Sequence, residues 1–230
     1  MKNLCIITAR GGSKRIPQKN IKDFLGLPII AYSIQTALDS KLFDDVLVST
    51  DCKEIAEVAK KYGASVPFLR SNKNSNDYAT TSDALLEVIE KLNNQKIFPE
   101  IICCLYPTAP LLSVKTLKNS YDQFVVSKAP SLIPVVKFSF PPQRAFLLKD
   151  KLLEFAYPEN KDTRSQDLEP IYHDAGQFYW MEAKTFIINK MIFSREGTTF
   201  FELNELEVQD IDSITDWRLA ELKFKILNNL

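Results

Sequence analysis

The sequence predicts a three-layer α/β fold on a mostly parallel sheet, and three observations carry that prediction. Apolar runs centred on Leu4 to Ile7, Val46 to Val48 and Ile101 to Leu105 have the character of strands covered on both faces. Amphipathic segments of helical period alternate with them, as in a sheet whose strands are joined by helical crossovers. The loops after these runs hold much of the polar chemistry, at the place where ligands of such sheets gather.

In chain order, the first strand runs into the basic, glycine-containing loop Ala9 to Asn20. Pro28 starts a helix through about Ser40, with Ile29, Ile30, Ser33, Ile34, Ala37 and Leu38 near helical spacing. Asp45 to Ser49 is a second strand, Thr50 or Asp51 caps a helix from Lys53 to Tyr62, and Gly63 ends it. Val66 to Leu69 is expected to be a third strand. Thr80 or Thr81 caps a helix to about Asn93, Glu100 to Leu105 is the next strand, and the stiff turn Tyr106 to Pro110 follows. Ser113 caps a further helix.

The rhythm changes over about residues 138 to 170. Phe140 to Arg144 (FPPQR) breaks regular structure, and two apolar stretches, Phe146 to Leu148 and Leu152 to Phe155, flank the polar Lys149 to Lys151 as in a hairpin. Strands resume near Gln177 to Trp180. Glu205 to Ile211 reads as a last strand, leading into a helix opened by the capping box Ser213 to Asp216. The whole reads as one domain, residues 1 to 230, with a hairpin-like excursion.

At 230 residues, 45% hydrophobic and 25% charged, the chain is long enough to bury a substantial core, and no apolar run approaches the roughly 18 residues that span a bilayer. No leader-like segment precedes Leu4, and a cytoplasmic location is expected. The 29 acidic and 29 basic residues cancel, which excludes a nucleic-acid binder relying on a broad basic field. Cys5, Cys103 and Cys104 lie in apolar runs and, with Cys52, read as small residues of a reducing compartment rather than as ligands or nucleophiles.

Positive charge collects in the loop after the first strand. Arg10, Lys14, Arg15 and Lys19 fall within about ten residues and repel one another without an anion, while Gly11 and Gly12 permit backbone conformations that turn successive N–H groups inward as a nest. A polyphosphate carries the complementary charge. The pattern is neither a Walker loop nor a dinucleotide fingerprint. Asp210 and Asp212 stand two apart, so on extended backbone both face one way and call for a cation; Mg²⁺, bound by one or two carboxylates plus phosphates, fits. The alternative is that Asp212 belongs to the helix start and Asp210 is merely exposed.

Other candidates come from turns. Arg70, and then Asp77, Tyr78, Thr80, Thr81 and Ser82 before a helix, offer groups that receive a nucleotide or simply cap. Arg144 and Arg164, in the excursion, carry forks suited to a carboxylate or are solvated surface cations. His173 is the only histidine and, by type alone, reads as a packed structural residue.

Taken together, Ala9 to Asn20 (ARGGSKRIPQKN), Val48 to Asp51 (VSTD), Tyr106 to Pro110 (YPTAP) and Val208 to Asp212 (VQDID) closely resemble the cytidylyltransferases that make CMP-activated nine-carbon acidic sugars. The resemblance spans almost the whole chain. Asp77 to Thr81, Thr163 to Leu168 and Tyr172 to Trp180 look like the branch acting on pseudaminic acid rather than N-acetylneuraminate, whose members read closer to Pro-Asn-Gly-Ala where this chain has His173 to Gln177.

The resemblance implies the fold of the nucleotide-diphospho-sugar transferases and a homodimer made through the excursion. It implies a reaction of CTP, Mg²⁺ and an acidic nine-carbon sugar, in which the anomeric hydroxyl attacks the α-phosphorus and pyrophosphate leaves. Arg10, Gly12 and Lys14 would then hold the triphosphate, with Ala9, Asn20, Arg70 and Ser82 about the nucleotide. Asp210 and Asp212 would hold the metal and, with Arg10 and Lys14, form the catalytic set. Arg144, Arg164, His173 and Gln177 would lie near the sugar. CMP-neuraminate or CMP-legionaminate synthesis, a metal-dependent glycosyltransferase and a non-catalytic nucleotide sensor are the alternatives.

Overall fold

The computed structural model describes residues 2–230. The elements run β1 (Asn3–Thr8), β2 (Asp23–Phe24), β3 (Leu27–Pro28), α1 (Ile29–Ser40), β4 (Asp45–Ser49), α2 (Lys53–Lys61), α3 (Thr81–Asn94), β5 (Ile101–Leu105), α4 (Val114–Ser127) and β6 (Ser131–Lys137). They continue as β7 (Phe146–Lys149), β8 (Leu152–Phe155), β9 (Tyr172–Asp174), β10 (Phe178–Glu182), α5 (Ala183–Asn189), β11 (Thr199–Glu202) and α6 (Ile214–Leu227). A seven-stranded sheet has the order β11-β6-β10-β5-β1-β4, with β9 paired to β6. It is mixed and mostly parallel: only β10 and β9 run against the other strands.

The two-residue period of the central strands sorts their side chains into two cores. Cys5 and Ile7 of β1, Cys103 and Leu105 of β5 and Trp180 of β10 pack with Ile30 and Ile34 of α1, Ile55 of α2 and Leu117 of α4. Leu4, Ile6, Ile102, Cys104, Tyr179 and Met181 face the opposite way, onto Leu85, Val88 and Ile89 of α3 and Phe186 of α5. That alternation gives the three layers.

Thr80, Ser113 and Ser213 cap α3, α4 and α6 by accepting from the N–H three residues on, as their sequences anticipate. Helix α2 departs from expectation. Its N-cap is Cys52, which makes no capping bond, while Thr50 Oγ1 accepts from Cys52 N at 3.1 Å.

Two expected strands do not form. Over Val66 to Leu69 the pairing stops at the single bridge of Ser65 to Leu47, because Pro67 has no N–H with which to continue a ladder. At the C-terminal end, Glu205–Glu207 is a 3-10 turn held by a capping box between Asn204 and Glu207, and residues 208–212 are irregular. In the excursion, β7 and β8 pair as a hairpin closed by Asp150 and Lys151, both at positive φ (49° and 69°), as a two-residue type I′ turn requires.

One buried carboxylate ties the segment before α3 to the fold. Glu87 accepts from Ser71 N at 2.8 Å, Ser71 Oγ at 2.6 Å, Asn74 Nδ2 at 2.7 Å and Lys91 Nζ at 2.7 Å. Burial alone would raise its pKa, but the bonds from Lys91, Ser71 and Asn74 prevail and hold it down to about 2. A carboxyl depressed from 4.5 on folding contributes stability that is complete above that value and is lost as pH falls toward about 2. Glu87→Gln therefore lowers the denaturation midpoint at neutral pH, and its deficit against the unaltered protein shrinks as the pH is lowered from about 5. Chemical denaturation across that range measures both; a deficit independent of pH would show that the charge contributes nothing.

Candidate active site

Strands β4, β1 and β5 are parallel neighbours, so the loops that leave them rise from one edge of the sheet. A cleft of about 610 Å³ opens there, lined by Thr8 at the end of β1, Arg10 and Lys14 of the following loop, Arg70, Thr81 at the start of α3, and Tyr106 after β5.

The loop after β1 is held from beneath. Ala9, fully buried, donates its N–H to Ser49 O at 2.9 Å, Gly11 N donates to Asp51 Oδ1 at 2.8 Å, and Asn20, itself buried, donates Nδ2–H to Arg10 O at 2.9 Å. Ala9 and Asn20 thus shape the loop. Neither Gly11 nor Gly12 has a positive φ, so the left-handed conformations expected of them are not used. What Gly11 supplies is close approach: a β-carbon there would stand 2.9 Å from Cys52 Cβ, whereas one on Gly12 meets nothing within 4 Å.

The four cations divide between two acidic partners. Arg10 Nη1 and Lys14 Nζ reach the two oxygens of Asp77, at 3.1 and 2.5 Å, and the hydrogen bond from Lys14 leads in holding that carboxyl below its usual range. Arg15 Nη2 lies 2.7 Å from Asp212 Oδ1, and Lys19 Nζ lies 3.7 Å from the same oxygen while donating to Ile211 O at 2.7 Å. Loop and C-terminal carboxylates, distant in sequence, are neighbours.

Asp210 and Asp212 flank the buried Ile211 on irregular backbone rather than on the expected strand end. Desolvation, and then the charge of Asp212, raise the Asp210 carboxyl above its usual range. Among the described residues no group of three or more His, Cys, Asp or Glu forms a metal cage. The pair is an all-oxygen, two-carboxylate donor set, which fits a hard dication that completes its coordination with phosphate and water.

Arg70, 8% exposed, forms part of the cleft lining and is fixed by Nε donating to Ser49 Oγ at 3.0 Å and Nη2 donating to Ser49 O. Ser82 does not line the cleft; Thr80 and Thr81, just ahead of it, do. Gln177 is 3% exposed, donates to Glu207 O and lines neither hollow, so its amide is held inside the protein. Arg144 and Arg164 are exposed in the excursion, donating to Thr163 O and Asp167 Oδ2, each at 3.0 Å, and neither lines the cleft.

His173 does reach a hollow. It sits on β9, its ring 4.6 Å from that of Phe138, and lines a second hollow of about 430 Å³ with Asp174, Tyr179, Phe193 and Thr198. Tyr106 lines both hollows and is the wall between them. Tyr106 has a signal in the sequence, its position directly after a buried strand. Asp174 and Phe193 have none, since only the folded sheet brings them there.

A family model described as cytidylyltransferase matches residues 4–221. The chain belongs to the cytidylyltransferase family. This cytidylyltransferase is a nucleotide-transferring enzyme by that membership, and it is 45% identical over 227 residues to the pseudaminic acid cytidylyltransferase of Campylobacter jejuni, covering 98% of this chain and 97% of the relative. To the CMP-N,N'-diacetyllegionaminic acid synthase of Legionella pneumophila it is 36% identical, over 96% and 95% of the two chains. Among solved structures, CMP:2-keto-3-deoxy-manno-octonic acid synthetase complexed with CTP superposes over 100% of both chains with a TM-score of 0.71 at 17% identity. The 4-diphosphocytidyl-2C-methyl-D-erythritol synthase of Anaerococcus prevotii gives 0.67 at 14% identity, over 97% of this chain and 98% of its own. The cytidylyltransferase thus has the α/β fold of these nucleotidyltransferases, as its sequence anticipates.

The two glycines of the loop are separable by experiment. Gly11→Ala crowds a β-carbon that cannot swing aside and displaces the loop, destabilising by about 1 to 3 kcal/mol and weakening nucleotide binding. Gly12→Ala leaves the stability unchanged, since its β-carbon meets nothing within 4 Å. Thermal unfolding and calorimetry with CTP check the pair, and equal behaviour of the two variants contradicts the packing at Gly11.

Proposed function

We propose that the enzyme transfers the CMP group of CTP to the anomeric hydroxyl of a nonulosonic acid, pseudaminic acid first among them, and releases pyrophosphate. The observation that carries this reading is the identity with the Campylobacter jejuni relative over nearly the full length of both chains. Arg10, Lys14, Arg70, Thr80 and Thr81 in the cleft lining support it. The triphosphate meets Arg10, Lys14 and the open backbone at Gly12, with the two cations exchanging Asp77 for phosphate oxygens. The nucleoside lies against Arg70, Thr80 and Thr81, on the loop shape kept by Ala9 and Asn20. The sugar acid occupies the second hollow, whose wall is largely aromatic and apolar, with His173 and Asp174 facing its polar substituents.

In the transfer, the anomeric oxygen bonds to the α-phosphorus as the bond from that phosphorus to the α–β bridging oxygen breaks, pyrophosphate leaves with the bridging oxygen, and the hydroxyl's proton passes to solvent water. Charge builds on the departing pyrophosphate, and Lys14 and Arg10 stand where they stabilise it. Asp210 and Asp212 would hold Mg²⁺, whose chemistry there is to offset charge on the phosphate oxygens. Arg15 and Lys19 orient Asp212.

The exposed apolar side chains of β7 and β8, Leu148 and Leu152 being 81% and 70% exposed, support a homodimer paired through the excursion, in which Arg144 and Arg164 face the neighbouring site. Free thiols, three of the four buried, support a reducing cytoplasm. Among the described residues no helix is long and apolar enough to cross a membrane.

Incubation with CTP, Mg²⁺ and a panel of nonulosonic acids tests the reading, with pyrophosphate release and the mass of the CMP-sugar as readouts. Pseudaminic acid gives the highest kcat/KM; a preference for legionaminic or neuraminic acid reassigns the sugar, and no pyrophosphate with any acid overturns the activity. Lys14→Ala lowers the rate on the order of 10² to 10³ at saturating CTP without unfolding the protein. Asp210→Asn and Asp212→Asn raise the Mg²⁺ concentration for half-maximal rate, and wild-type Mg²⁺ dependence in both variants makes the pair structural.

A further inference from the structure

The segment that carries Asp210 and Asp212 has no strand ladder to hold it, since residues 208–212 are irregular. Side chains bond its carbonyls instead. Lys223 of α6 donates from Nζ to Val208 O at 2.7 Å and to Glu205 O at 3.0 Å, and Lys19 of the basic loop donates to Ile211 O at 2.7 Å. Between the Val208 carbonyl and Ile211 stand only Gln209 and Asp210. Asp210 is thus bracketed by two carbonyls bonded to ammonium groups.

Each of these bonds sets a peptide plane. The peptide unit is rigid, so fixing the carbonyl of one residue fixes the N and Cα of the next. Lys223, by holding Val208 O, orients the peptide that leads through Gln209 to Asp210, and Lys19, by holding Ile211 O, orients the one that begins Asp212. The side chains of Val208 and Ile211 are buried in two different cores, but burial places a side chain and leaves the peptide after it free to turn. The turn just before has anchors of its own, since Glu207 Oε1 accepts from Thr116 Oγ1 at 2.8 Å and Glu207 O accepts from Gln177. Lys223 carries that hold onward to Val208.

We propose that Lys223 is a positioning residue for the divalent cation: by fixing the Val208 carbonyl it sets the direction in which Asp210 presents its carboxylate beside Asp212, and with it the affinity of the pair for Mg²⁺. The inference rests on the reading of Asp210 and Asp212 as the metal-holding pair. Lys223 does not line the cleft, so it acts through the main chain alone. With its ammonium removed, the peptide after Val208 turns, and the two carboxylates no longer converge on one ion.

The experiment titrates the full chain with Mn²⁺, a paramagnetic stand-in for Mg²⁺, in the presence of CTP and without sugar acid, and counts the free ion by electron paramagnetic resonance. Lys223→Met, which keeps the aliphatic stem and removes the donors, weakens Mn²⁺ binding about tenfold, the scale of a lost outer-shell partner. Lys223→Arg still carries donors for both carbonyls and stays within about threefold of the unaltered protein. Calorimetry with CTP in EDTA gives the same nucleotide affinity for all three proteins, whereas a merely structural defect weakens CTP and Mn²⁺ together. Mn²⁺ binding within about twofold of the unaltered protein in Lys223→Met overturns the positioning role. A loss in Lys223→Arg as large as that in Lys223→Met overturns it too, since the donors then do not matter. Lys223 is half-buried near the end of α6, and Lys223→Gln, too short to span both carbonyls, is read the same way where Lys223→Met does not fold. Asp210→Asn separates the two readings: unaltered Mn²⁺ binding in that variant overturns the metal pair together with this inference, and weakened binding there beside unaltered binding in Lys223→Met overturns this inference alone.

Discussion

Ile16 and Ile211 lie in one small apolar core with Phe24, Ile29, Trp217 and Ala220, and the geometry of the candidate site depends on that core. Ile16 belongs to the basic loop and Ile211 separates the two carboxylates, so burying both side chains fixes Arg15 and Lys19 beside Asp212. Electrostatics alone would not assemble this arrangement. Exposed ion pairs contribute about 0 to 1 kcal/mol each, whereas each fully buried aliphatic side chain contributes about 1.5 to 3 kcal/mol. The edge-to-face contacts of Phe24 with Tyr32, Trp217 and Phe224 extend the same core and seat α6 against the loop. Packing brings the charges together, and the charges then define the site.

The same scale separates two kinds of acidic partner. Asp77 is about half exposed, and its bonds to Arg10 and Lys14 lie in solvent, where they contribute little and are open to exchange. Glu87 is buried and saturated by donors from three other residues, so it holds the segment Ser71 to Asn74 in one place. One carboxylate is exchangeable and the other is architectural. Glu87 anchors the segment that leads to Asp77, so the exchangeable contact of Asp77 is presented from a fixed base.

How much of this is legible in the sequence follows from the range of the interactions. β1, β4 and β5 announce themselves because burial on both faces leaves an apolar run, and α3, α4 and α6 because Thr80, Ser113 and Ser213 carry their caps locally. Val66 to Leu69 has a strand's composition, yet Pro67 denies it a ladder. Asp210 and Asp212 are legible as a pair, but their exposure comes from Ile211 finding Ile16 across the fold, not from a strand. Gln177 shows the limit of reading residue type: it is buried, and its Nε2–H is spent inside the protein on Glu207 O. The second hollow is invisible for the same reason, since Tyr172, Phe193 and Phe200 meet only when the sheet is complete.

That second hollow owes its position to the reversed strand. Because β10 is inserted antiparallel between β5 and β6, its start, Phe178, pairs with Leu105 at the end of β5. Tyr179 is therefore set beside Tyr106, the residue that leaves β5 for the cleft. A parallel strand in that place would put its own start at the far edge of the sheet, away from Tyr106. The departure from a wholly parallel sheet is thus what joins the two hollows through a single tyrosine.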